Sequence, residues 1–223
     1  MANIQTNLTK KDYAFSLASG LIIGLLCLPV LKAAKPELYS KIAIGVVPFF
    51  FIATFLGLVM AFFISKKIAI IWQIAKFGVI GVLNTLVDLG SLALITFVFR
   101  SYLNIDSKET AFTAGIMIIT FYSVYKATTF IIANVNSYYW NKYWTFDQGS
   151  QKKTRAQFFQ FFLVSIIGFI INVLVASVIF KMIGATGFSI DQVGLIGAAA
   201  GSIMGMAWNF IGYKFVVFKE QAA

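Results

Sequence analysis

Asn84, Asp88 and Asn172 are polar residues that lie within long apolar runs. Asp88 is the only acidic residue deep in such a run. It follows Lys76 by 12 residues, which is about 18 Å along a helix and close to the middle of a ~30 Å hydrocarbon layer. A carboxylate at that depth is costly to keep and marks a candidate functional site. It could couple to protons or bind sugar hydroxyls, or it could serve as a structural partner for Asn172, Asn84 or nearby backbone. Asn84 and Asn172 both donate and accept, which suits sugar hydroxyls as well as bonds between helices.

A second set lies at the ends of two apolar runs. The segment 136–146 carries Trp140 and Lys142, and the segment 208–218 carries Trp208, Asn209 and Lys214. Aromatics at such ends form a belt at head-group level. The two lysines are different, because ammonium groups at matching depths can hold a lipid phosphate or act as snorkelling anchors.

The chain that must position these residues has 223 of them, 60% hydrophobic and 12% charged, with a mean hydropathy of +0.86. A soluble domain carries about 25% charged residues, so the excess apolar surface calls for a bilayer. The net charge of +10 sits in short connections between apolar runs. That pattern reads as membrane orientation rather than nucleic-acid binding. There is no histidine and one cysteine, Cys27, inside an apolar run. Histidine-based triads and intrachain disulfides are thereby excluded. No Walker A loop, dinucleotide fingerprint or metal-ligand cluster is present, so no cofactor and no enzyme activity are expected.

Five runs are long enough to span: Tyr13–Leu31, Ile42–Ile64, Phe77–Phe99, Phe158–Phe180 and Val193–Val217. The first follows Lys10 and Lys11 as a signal peptide would, but no Ala-x-Ala site follows closely, so it reads as a retained helix. The apolar stretch 110–146 holds 37 residues, too many for one upright span. A helix over Val124–Tyr143 is expected there, with Thr110–Ser123 interfacial or partly re-entrant. The fold class is therefore an all-α membrane protein of six transmembrane helices. Eleven Lys and Arg then fall on the side of both termini and six on the other, which places both termini in the cytoplasm.

The last four helices read as an internal parallel two-helix repeat. Phe77, Gly81, Asn84 and Asp88 align at a shift of 84 with Phe161, Ser165, Gly168 and Asn172. Ser137, Tyr138, Lys142 and Phe146 align at a shift of 72 with Asn209, Phe210, Lys214 and Phe218. Parallel repeats are a transporter habit, although an old duplication without functional meaning leaves the same trace. The alignment sets Lys126 opposite Ala198, which predicts a snorkelling lysine near the outer interface. Gly197, Gly201 and Gly205 form a small-residue ridge, for packing within the chain or in a homo-oligomer.

Four segments in order carry a family resemblance: Lys76 to Asp88, Asn136 to Phe146, Phe158 to Gly168, and Trp208 to Phe218. Residues from about Gln73 to Lys219 resemble the GtrA-like family of small membrane proteins. The resemblance implies a domain division of 1–70, an added transmembrane helix pair, and 71–223, a four-helix transmembrane domain. It also implies a bacterial-type cytoplasmic membrane and a role in cell-surface polysaccharide synthesis, in which a polyprenyl-phosphate-linked monosaccharide is flipped across the bilayer. Asn84, Asp88 and Asn172 would line a polar path, with Lys142, Lys214, Asn209, Trp140 and Trp208 at its cytoplasmic mouth. Two other readings stand beside it. One is a small exporter with Asp88 as its proton site. The other is a scaffold for a membrane glycosyltransferase.

Overall fold

The computed structural model describes residues 7–148, 155–183 and 190–219. In chain order these form α1 (Lys10–Ala34), α2 (Pro36–Ser65), α3 (Ile70–Leu103), the strands β1 (Thr110–Ala114) and β2 (Met117–Thr120), α4 (Phe121–Trp140), α5 (Arg155–Ile183) and α6 (Ile190–Gly212). Both α4 and α6 run on into a five-residue π-helical turn, Asn141–Thr145 and Tyr213–Val217.

Among the described residues, five helices are long and apolar enough to cross a membrane: α1, α2, α3, α5, and α6 with its π turn. The chain is a multi-pass membrane protein. The sixth expected span, α4, has 20 residues, or about 30 Å of helix. It has the length but falls short in hydropathy, because Lys126, Asn134 and Asn136 sit among its apolar residues. The helices outrun their apolar cores at both ends. The 34 residues of α3 make about 51 Å, well beyond the hydrocarbon layer.

The helix ends follow from local chemistry. Thr9 caps α1 in a reciprocal box: its hydroxyl accepts from the Asp12 N–H, and the Asp12 carboxylate accepts from the Thr9 N–H. Pro36 opens α2, where its missing N–H costs nothing. Asn104 closes α3 in the left-handed region at φ 54°. Thr120 caps α4.

The stretch expected to be interfacial or re-entrant is an antiparallel hairpin, turned at Gly115 with φ +60°. Strand pairing satisfies the inward-facing half of its backbone groups without a helix. Its tip is exposed and apolar at Ile116, Met117 and Ile118.

The described chain divides into two compact units, at Asp147 and Gln148. In the first, α1 packs along α2, and α3 packs against α1, α2 and α4. The helix pair α1–α2 therefore belongs to the same packing unit as α3 and α4. The core of this unit is Leu58, Phe62, Trp72, Ile80 and Trp144. In the second unit α5 packs along α6. A Cβ on Gly197 would meet the Ala176 carbonyl oxygen at 2.8 Å, and one on Gly205 would meet the Gly168 carbonyl oxygen at 2.8 Å. The glycine ridge thus serves close helix approach within this unit.

Candidate functional site

Asp88 sits near the middle of α3 and is paired. Its Oδ2 forms an ion pair with Lys126 Nζ, and its Oδ1 accepts a 2.6 Å hydrogen bond from the Thr129 hydroxyl. Lys126 and Thr129 stand three apart on α4, so both face α3 from one turn. The snorkelling expected of Lys126 does not occur. In a medium of low dielectric the attraction of a carboxylate within reach outweighs the pull of the interface. Nor is Asp88 held by Asn84. Asn84, one turn away on α3, keeps a buried carbonyl oxygen with no hydrogen-bond partner.

The pair is incompletely covered: the side chains of Asp88 and Lys126 are 23% and 42% exposed. A second ion pair in the same unit is closed. Lys76 Nζ lies 2.7 Å from Asp12 Oδ1, at 7% and 5% exposure. The Lys76 ammonium also lies over the Trp72 ring, 4.4 Å from its centroid, and 3.4 Å from the Trp144 carbonyl oxygen. Asp12 is satisfied on both oxygens. Oδ1 takes the Trp144 indole N–H at 3.2 Å, and Oδ2 takes the Thr9 N–H and hydroxyl. This network ties the start of α1 to α3 and to the first π turn.

That turn also fixes Lys142 and Trp140. Lys142, expected at a mouth, is wholly buried, with its ammonium 5.8 Å from the centre of the Tyr138 ring. Trp140 meets Phe15 of α1 edge to face at 5.2 Å, so its ring packs between helices.

In the second unit, Asn172 and Asn209 fill the space that glycines leave. A Cβ on Gly201 would meet Asn172 Oδ1 at 2.8 Å, and one on Gly168 would collide with the Asn209 side chain. The Asn209 Oδ1 is buried and has no hydrogen-bond partner. Trp208 donates its indole N–H to the Val164 carbonyl at 3.2 Å. Lys214 is half-buried beside Phe210 and Phe215. Ser165 and Tyr213 share a buried 2.7 Å hydrogen bond, and Phe161 stacks on Tyr213 with centroids 4.1 Å apart.

The structure thus brings Asp88 together with two residues that sequence reasoning left outside the site, Lys126 and Thr129. It also joins Asp12, Lys76 and Trp144, which sequence reasoning did not connect. Thr9-Lys-Lys-Asp12 is a readable capping box, but nothing local ties it to Lys76.

Comparison with known proteins adds to this geometry. The chain is 30% identical over 147 residues to the uncharacterized membrane protein YngA of Bacillus subtilis (strain 168), covering 66% of this chain and 80% of that one. No solved structure matches it. Residues 76–218 match the family described as GtrA/DPMS, transmembrane domain. The match opens at Lys76, so α1 and α2 lie outside it. The chain belongs to the GtrA/DPMS transmembrane domain family, which is linked to cell-surface polysaccharide glycosylation.

Proposed function

We propose that this protein, without catalysis of its own, flips a polyprenyl-phosphate-linked monosaccharide across a bacterial-type cytoplasmic membrane. Both termini stand in the cytoplasm, and a membrane glycosyltransferase uses the sugar on the far side. The observation that carries this reading is the Asp88–Lys126–Thr129 cluster. It is an ion pair at mid-span that is partly open, in the same unit as a sealed one.

The difference in exposure separates two jobs. A sealed, fully hydrogen-bonded pair fastens helices. An open pair can exchange partners. A phosphate reaching Lys126 replaces the Asp88 carboxylate as its counter-ion, and the freed carboxylate accepts sugar hydroxyls beside the unfilled oxygen of Asn84. The phosphate keeps the Lys126 ammonium paired during the exchange, and the sugar hydroxyls hydrogen-bond the carboxylate that it displaces.

The remaining residues take roles according to their burial. Within the second unit Lys214 is half-buried and flanked by Trp208, an ammonium able to meet a lipid phosphate at head-group level. Asn209 and Asn172 supply amides at the α5/α6 crossing. Lys142 and Trp140 hold the first π turn, and Lys142 reaches a phosphate only when that turn opens. The two π turns begin 72 residues apart, at Asn141 and Tyr213. That equal offset supports α3–α4 and α5–α6 as two copies of one helix pair.

The test is proteoliposomes containing only this protein and a short-chain polyprenyl-phosphate monosaccharide. Faster equilibration across the bilayer than in protein-free vesicles is expected. No acceleration from well-folded protein, together with co-purification of a glycosyltransferase, would replace transport by a scaffold role.

A further inference from the structure

One face of α3 past Asp88 lines an open cavity of about 620 Å³. Leu89, Leu92, Ala93, Thr96, Phe97 and Arg100 form that face. Their spacing of three and four is a single helical stripe. From Leu89 to Arg100 the stripe runs about 16 Å. That is half of a ~30 Å hydrocarbon layer, the depth of one leaflet. Val30 and Ala34 of α1 make the opposite wall. They follow Pro29, which withdraws an N–H from the last turns of that helix. Closer to the midplane α1 and α3 touch, with Leu26 packed at Gly90.

The cavity changes character along its length. Toward Leu89 its walls are aliphatic. At the other end stand Arg100, Ser107 and the Tyr122 ring. The ion pairs among the described residues are Lys11–Asp147, Lys76–Asp12 and Lys126–Asp88, so Arg100 belongs to none of them. The nearest acids in sequence are otherwise engaged: Asp106 Oδ1 accepts the Lys108 N–H at 2.8 Å, and Glu109 Oε1 accepts the Asp106 N–H at 2.8 Å. An exposed guanidinium thus caps an apolar groove one leaflet deep.

We infer that this groove is a binding site for one anionic phospholipid of the leaflet at the Arg100 end, its phosphate on Arg100 and one acyl chain lying along the Leu89–Phe97 stripe. Guanidinium matches phosphate oxygens with paired N–H donors, and its fixed charge favours an anionic head group over a zwitterionic one. An acyl chain lying there replaces lipid that would otherwise solvate the groove loosely. The site stands independently of transport, because it uses none of Asp88, Lys126 or Thr129.

The test is native mass spectrometry of the full chain released from mixed phosphatidylglycerol and phosphatidylcholine. Wild type is expected to retain one phosphatidylglycerol with about tenfold preference. Arg100→Lys, which keeps the charge but not the paired donors, should keep part of that preference, and Arg100→Gln should bring it to parity. Ala93→Trp, which fills the groove, should remove the retained lipid of either kind. Equal retention of both lipids by wild type would overturn the site. So would a preference untouched by both Arg100→Gln and Ala93→Trp. A tenfold preference for an isoprenoid phosphate over phosphatidylglycerol would overturn the assignment of the occupant.

Discussion

Asp12 Oδ1 lies 2.7 Å from Lys76 Nζ, and these two residues join a helix outside the family match to the first residue inside it. The added helix pair is fastened by a buried charge rather than by apolar packing alone. Removing one partner of such a pair costs about 3–5 kcal/mol, because the other charge is left buried and unmatched. Asp12→Ala should therefore lower the thermal midpoint in detergent sharply. Asp12→Leu combined with Lys76→Met should regain most of the loss, short of about 1 kcal/mol for the missing cap. A double variant no more stable than Asp12→Ala would contradict the pairing.

The α5/α6 crossing makes a prediction about glycine. Gly168→Ala puts a methyl into the Asn209 amide and should cost about 1–3 kcal/mol of stability. Asn209→Ala in the same chain should recover most of it. Gly57, with nothing within 4 Å of an added Cβ, is the control: Gly57→Ala should be neutral or stabilise by up to about 1 kcal/mol. Equal effects at the two positions would disprove the close approach.

Ser165 and Tyr213 share one hydrogen bond between α5 and the second π turn. Ser165→Ala and Tyr213→Phe should each cost about 1 kcal/mol. The double variant should cost little more than either, since both remove the same bond. Additive losses in chemical denaturation would show that the bond does not form.

The two lysines of the π turns should separate. Lys142→Ala empties a fully buried position and should lower stability. Lys214→Ala should leave stability within about 0.5 kcal/mol while slowing translocation of the lipid-linked sugar. Thermal melts and transport on the same preparations distinguish the two, and the reverse pattern would exchange their roles.

Much of this architecture was legible from hydropathy alone. The five apolar spans come from length and composition, and the spacing of Gly197, Gly201 and Gly205 marks a close-packing face without naming α5 as its partner. The π turns were not legible, because a single extra residue per turn leaves the apolar pattern almost unchanged. The hairpin at 110–120 was obscured because its exposed tip is as apolar as a span. Asp88 was flagged by its depth, but its partner was not. Lys126 stands 38 residues away, across a hairpin, and no local period links the two. The same holds for Asp12 and Lys76, which meet across helices with no local period to link them. Sequence period finds which residues share a face. It does not find which charges meet across faces.

An open ion pair that carries the substrate at mid-span must set the rate of flipping through both of its residues. The most direct measurement is the initial rate of polyprenyl-phosphate monosaccharide flipping in proteoliposomes for wild type, Asp88→Asn, Lys126→Gln and the double variant, each shown to be folded by its thermal midpoint. Each single change is expected to slow flipping at least tenfold, and the double variant should be no slower than the worse single one, as befits two residues acting as a unit. Wild-type rates in all three variants would contradict the claim and leave Asp88 and Lys126 as a structural pair only.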